Sequence, residues 1–347
     1  MLDGCLEDLE SRIDPEVEER LLSEWQDFTY DRFSGDVFSP GRNAQAPPMV
    51  DWPEVRVNPA LEDYDLMALQ QFRTCSESLE AGDGSLLCVR CNYGTGILPS
   101  LFGVRMFVMD DALDTLPTNH PLDDIDKIRA VIDNGVPDLS NGLGAKVFEM
   151  GRRFMAIRAR YPKVERYVHV YHPDLQGPID VVELLWGSGF LLALYETPDL
   201  VKALLDVVTE TYIAFMREWQ QIVPPQNGWA VHWSLMHKGT VMLRNDSVMN
   251  ISPAMFDEFV YPYDQRILDE FGGGANHFCG RGDHYIARMS EMRGLYAINM
   301  SQPEYNDMEI IFRNTVDKGI KIVGLPRPAA EEALRAGRRL HGNAHCS

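Results

Sequence analysis

Positive charge is what this sequence has least of: 32 Lys and Arg stand against 52 Asp and Glu, for a formal net charge of −20. Nucleic-acid binding relies on clustered Lys and Arg to meet the phosphate backbone, so the charge argues against non-specific binding to nucleic acid, and none is expected as a partner. No run approaches the roughly 18 apolar residues of a membrane span. The opening residues, MLDGCLEDLESRIDPEVEERL, are acidic where a secretory leader is basic. The expectation is a cytoplasmic protein with no membrane partner. Six cysteines among 347 residues are too few for a disulfide scaffold, which leaves free thiols or metal ligands. A glycine-rich dinucleotide turn is also missing, because CNYGTG after Ser85 to Arg90 does not fit GxGxxG.

What is present is an ordinary globular composition, 45% hydrophobic and 24% charged, enough for a sizeable core. Residues 4 to 34 place Leu9, Ile13, Val17, Leu21, Leu22 and Trp25 at helical spacing, and residues 35 to 60 are rich in Pro, Gly and Asn. Residues 1–60 therefore read as an N-terminal helical arm with an irregular connection. From Ser85 short apolar runs alternate with helical patterns. The strands are expected in SLLCVRCNY, RMFVMDD, RYVHVYHPD, TVMLRNDSV, ANHFCG, LYAINMSQ and GIKIVGL, with helices over residues 198–221 and, after a Ser252 cap, over 253–271. Alternating β and α units imply a parallel sheet flanked by helices. The expected architecture is an α/β fold, a (β/α)8 TIM barrel over residues 61–347 with the helical extension before it.

In such a barrel function collects where strands end. The strand ends carry Arg90, Asn92 and Tyr93; Asp110 and Asp111; His169, His172, Asp174 and Gln176; Arg244, Asn245 and Asp246; His277 and Cys279; Asn299, Gln302 and Glu304; and Arg327. His277 and Cys279 are the most specific pair, because residues i and i+2 of a strand share a face and can touch one ion. A zinc site needs a third ligand; Cys346, in the terminal LHGNAHCS, is the first choice, with His341 and His345 nearby. Asp246 serves either as a substrate-binding carboxylate and acid or base, or as a turn residue. Cys88 and Cys91 sit three apart within an expected strand, so their sulfurs diverge and both read as buried thiols. Asp283 reads as the cap of a helix starting near His284. Tyr93, Tyr171, Trp186 and Trp233 either line the cavity, where they suit an aryl methyl ether or a quaternary ammonium group, or pack the barrel.

The stretches DLQGPIDVVELLWGS, LYETPDLVKALLDVVTE, RNDSVMNISPAMFDEFVYPYDQRI, NHFCG and INMSQPE together resemble the uroporphyrinogen decarboxylase superfamily, from about Ser85 onward. Within it the chain is most similar to the zinc- and cobalamin-dependent methyltransferase branch, which binds zinc through His-x-Cys and a distal Cys. The resemblance implies a (β/α)8 barrel and Zn2+ held by His277, Cys279 and Cys346, with Asp246 beside them as a catalytic group. Arg90, Asn92, Tyr93, His172, Asp174, Gln176, Arg244, Asn299 and Gln302 would surround a small-molecule methyl donor or acceptor. It further implies a cobalamin carried by a separate corrinoid protein, and a homodimer is compatible with it. Two other functions fit the superfamily: a metal-free decarboxylase of the porphyrinogen type in heme biosynthesis, and a non-catalytic ligand-binding barrel. The first is disfavoured because the RQAGR segment that grips substrate carboxylates is missing from SLLCVRCNYGTG, where only Arg90 remains.

Overall fold

A computed structural model describes residues 1–346. The local signals in the sequence account for most of its helices. Helix α1 spans Leu2–Arg12 and α2 spans Pro15–Thr29; Pro15 starts the second, and the Asp14 side chain accepts the Glu16 N–H. Helix α3 (Tyr64–Ala81) is capped by Asp63 and ends at Gly82, whose φ of 65° is the left-handed conformation that glycine adopts at least cost. In α4 (Pro178–Trp186) and α5 (Pro198–Ile222) proline again occupies the first turn, where its missing N–H costs nothing. The single helix expected after Ser252 is two, α6 (Pro253–Phe259) and α7 (Tyr261–Glu270). Pro262 explains the break, since its ring collides with the preceding turn and it has no N–H to give.

Eight strands run parallel, numbered here in chain order: β1 (Val37–Phe38), β2 (Cys88–Val89), β3 (His169–Val170), β4 (Val241–Arg244), β5 (Gly274–Phe278), β6 (Leu295–Met300), β7 (Lys321–Leu325) and β8 (Ala344–Cys346). They form a six-stranded sheet in the order β1-β8-β7-β6-β5-β4 and a separate pair β2-β3. The fold is thus α/β with a mainly parallel sheet. The closed barrel expected from sequence is met by two ladders, and among the described residues no ladder joins β3 to β4 or β1 to β2. Single bonds cross the first of these gaps, from Met242 N–H to His172 Nε2 and from Gly177 N–H to the Arg244 carbonyl. No single helix among the described residues is long and apolar enough to cross a membrane.

Three features differ from what the sequence led us to expect. Val37 and Phe38, assigned to the irregular connection, pair with Ala344 and His345, so the first strand precedes residue 61. RMFVMDD is no sheet strand: Met106–Phe107 pairs antiparallel with Thr118–Asn119 in a separate ribbon, where Phe107 is exposed. The third is a hairpin that was not anticipated, Trp229–His232 with Leu235–Lys238, joined by the two residues Trp233 and Ser234.

Side chains alternate across the sheet with the period of two that strands impose. Val241 and Leu243 join the large cluster beneath the helices, whereas Met242, Ala275, Ala297 and Val323 join a second cluster on the other face. That inner cluster is completed by Leu21, Trp25 and Phe28 of α2 and by Met236 of the hairpin. Helix α2 is therefore part of the inner core, and a buried Glu18–Arg42 pair with two hydrogen bonds of 2.7 and 2.9 Å secures the segment that follows it.

Candidate metal centre

His277 shares the parity of Ala275 on β5 and so faces inward. Its neighbour across the ladder is Asn299 of β6, and Asn299 Oδ1 lies 2.7 Å from His277 Nδ1. Asn299 Nδ2 in turn donates to the Val323 carbonyl at 2.7 Å, which leaves its oxygen as the only group that can face the ring. Nδ1 therefore carries a proton, and the Nε2 side is turned towards Cys279 Sγ at 3.4 Å and Asp246 Oδ1 at 3.4 Å. The three ligand atoms lie within 4.8 Å of one another.

Two loops hold the partners in place. Asp246 follows β4, and the Asn245 N–H donates to the His277 carbonyl at 2.9 Å. Asp180 of α4, which sequence reasoning missed, accepts the backbone N–H groups of Asp246 and Ser247 at 2.7 and 3.0 Å. Burial and the nearby Asp246 charge raise the Asp180 carboxyl well above its ordinary value. Asn245 Nδ2 donates to Asp264 at 2.6 Å, whose carboxyl burial pushes up to about 7. Past Cys279 the chain turns sharply: Gly280 N–H meets Gln302 Oε1 at 2.6 Å, and Asn306 Oδ1 accepts from Gly282 and Asp283. Asp283 is bonded to Arg281 and to the Asp307 N–H, so it does not cap the next helix as expected. Ser301, also unforeseen, places its Oγ 3.4 Å from Cys279 Sγ.

The charges are mutually supporting. Burial alone would hold the His277 ring neutral, but Asp246, Cys279 and Asn299 outweigh it and push the imidazole up to about 9. Burial would likewise raise Asp246, yet His277, Cys279 and Arg244 hold it below the usual carboxylate range.

The remaining predicted residues divide by what they touch. Asp174 is gripped by both Arg90 and Arg244, so the two guanidinium groups are already paired. Arg244 also lies over the Trp233 ring, 4.6 Å from its centroid, and Trp233 meets His277 edge-on with centroids 4.9 Å apart. His172 is used by the backbone: Nδ1 sits 2.7 Å from the Pro173 carbonyl and Nε2 accepts the Met242 N–H at 3.0 Å. Burial, with Arg244 close by, lowers that ring to about 3. Asn92 donates to Gln70, Tyr93 is fully enclosed in the outer core, and Gln176 is buried. Asp110 and Asp111 lie on the exposed segment that connects the two strands of the ribbon, where Asp111 pairs with Arg56. Cys88 and Cys91 do part: the first joins the inner cluster beside Ser234, the second the outer cluster.

Cys346 ends β8 opposite Leu325 and lines a cavity with Trp25, Leu235 and His345. The structure does not bring it into the Asp246–His277–Cys279 group. His345 is taken up by the Gly324 N–H and by packing on Trp25.

The donor set suits a borderline metal ion such as zinc. Tetrahedral zinc with bonds near 2.0–2.3 Å sets its ligands about 3.3–3.8 Å apart, and His277 lies 3.4 Å from each of its two partners. Asp246 Oδ1 is buried without a hydrogen bond, and a ligating histidine anchored through its other nitrogen is the usual arrangement.

No family model matches the sequence, and no curated protein matches it. Among solved structures, a methyltransferase from Methanosarcina mazei superposes with a TM-score of 0.64, covering 94% of this chain and 92% of that one at 16% identity. At that identity the likeness is one of fold.

Proposed function

We propose that this chain is a zinc-dependent methyltransferase built on a (β/α)8 barrel of the uroporphyrinogen decarboxylase superfamily. In this reading the eight parallel strands close in sequence order, and the site lies at their C-terminal ends. A methyl group would move between a small molecule and a corrinoid protein or a thiol. The observation that carries the proposal is the cluster of Asp246, His277 and Cys279, whose ligand atoms lie within 4.8 Å at the ends of β4 and β5. The fold-level likeness to a methyltransferase supports it.

His277 Nε2, Cys279 Sγ and Asp246 would hold the ion, with Cys346 the alternative third ligand. Bound zinc supplies Lewis acidity, either activating a thiol or polarising the atom that bears the methyl group. The protein's own residues do the rest. Asn299 fixes the His277 tautomer, the Ser301 hydroxyl oxygen accepts from the Cys279 thiol, and Asp180 fixes the loop that presents Asp246. Asp174 takes up hydrogen bonds from both Arg90 and Arg244 and leaves the trio a net charge of about +1, too little for a porphyrinogen bearing many carboxylates.

Metal analysis of the purified, zinc-loaded protein tests the reading. About one zinc per chain is expected, falling below about a tenth of that in His277→Ala and Cys279→Ala. Parallel loss in Asp246→Ala but not Cys346→Ala would assign the third ligand, and the reverse would assign Cys346. A wild-type chain that retains no zinc sinks the proposal.

A further inference from the structure

The turn Trp233–Ser234 breaks a local rule. Two-residue hairpin loops of this kind need both residues at positive φ, which is why Asn-Gly is the favoured pair. Here φ is 48° at Trp233 and 66° at Ser234, a conformation that crowds any side chain and a bulky one most. Such a conformation persists only where its surroundings fix it. They do: the Leu86 N–H donates to the Ser234 carbonyl at 3.0 Å, the Ser234 N–H meets Cys88 Sγ at 3.3 Å, and Gly239 N–H closes the base of the hairpin on the Gly228 carbonyl at 2.9 Å.

The tip is also where the hairpin stops being buried. His232 and Met236 are wholly enclosed, whereas Trp233, Ser234 and Leu235 between them keep partial exposure. Trp233 is thus an aromatic surface set among buried groups, bounded by the Arg244 guanidinium over its ring and by the His277 ring, which it meets in a T-shaped pair. Arg244 covers part of the ring, and its positive charge repels a second cation brought to the part left exposed. Stacking of a flat, uncharged ring meets no such opposition.

We propose that the Trp233–Ser234 turn is the specificity-determining floor of the site: a planar, uncharged aromatic group of the ligand stacks on the exposed part of the Trp233 indole, beside the Asp246–His277–Cys279 cluster. The proposal rests on the reading of that cluster as the reaction centre. It accounts for tryptophan at a position where asparagine would relieve the backbone.

The test uses the full zinc-loaded chain and two probes of equal size, anisole and cyclohexyl methyl ether, titrated by saturation-transfer NMR. Wild type should bind anisole the more tightly. In the double variant Trp233→Asn/Ser234→Gly the anisole Kd should rise about five- to tenfold, the increment expected of an aromatic pair. The Kd of cyclohexyl methyl ether should change at most about twofold, since that ring cannot stack. Zinc content should be retained and Tm should hold or rise, because Asn-Gly suits the turn. Trp233→Phe should recover most of the anisole affinity. Equal binding of the two probes by wild type, an unchanged anisole Kd in the double variant, or a fall in Tm with loss of both probes would overturn the proposal. Zinc absent from wild type while the anisole preference persists would instead count against the metal reading and leave the aromatic floor standing.

Discussion

Two groups of histidines sit within one protein and have been given opposite chemistry. His277, at the end of β5, is pushed up to about 9 by Asp246, Cys279 and Asn299. His172, His232 and His237 sit around the hairpin, where burial drives them the other way, to about 3 for His172 and about 4 for His237. In that group every shared proton is settled between neighbours. His237 Nδ1 faces the Lys238 carbonyl at 3.0 Å, and its Nε2 faces His232 Nδ1 at 2.8 Å. No carboxylate balances a charge there, so the rings stay neutral and serve as structure. Beside β5 a carboxylate and a thiol are within reach, and they favour the protonated ring. Histidine content therefore says little about function, and the partner atoms decide it.

The sharpest way to break the comparison is to remove a histidine from the neutral group and leave His277 in place. His172→Ala should destabilise the fold by about 4 kcal/mol, because it leaves a cavity and an unpaired Met242 N–H. Zinc content per folded chain should not change. Equilibrium denaturation with parallel metal analysis checks this, and a loss of zinc would mean the two groups are coupled.

Acid should find the neutral group next. A histidine lowered on folding binds no proton while the unfolded chain does, so stability falls as pH drops from the unfolded value of about 6.5 towards about 4. His237, lowered to about 4 by burial, contributes roughly 3 kcal/mol to that loss by pH 4. His237→Gln should flatten the stability profile between pH 4 and 6.5. A profile as steep as that of wild type would show that the buried ring is already charged.

The smallest effect belongs to the metal side. Asn299→Ala removes the anchor on His277 Nδ1 but no ligand, so zinc affinity should fall about 10- to 100-fold with little change in Tm. Competition against a chelator measures it. An unchanged affinity would place the tautomer under some other control.

Much of this site was legible beforehand. His277 and Cys279 stood out because strand geometry gives i and i+2 a common face, and Asp246 stood out as a strand-end carboxylate. Asn299 was marked as well, though for a ligand, whereas it holds the His277 ring. Asp180 and Ser301 gave no signal, since a helix carboxylate and a strand-end serine look ordinary until their partners are placed. Val37–Phe38 was hidden in a Pro- and Gly-rich stretch, because two residues carry no periodicity. The hairpin was hidden by its turn, since Trp-Ser is not a sequence that announces positive φ at both positions.

The sequence by itself determined the α/β alternation, the capped helix starts and the shared face of His277 and Cys279, all of which follow from the local geometry of a few consecutive residues. Only the tertiary structure decided that Asp246 completes the cluster, that Cys346 ends a strand outside it, and that α2 and the hairpin fill the inner core. Those are contacts between residues tens to hundreds of positions apart, fixed by which surfaces bury each other best, and no local pattern records them.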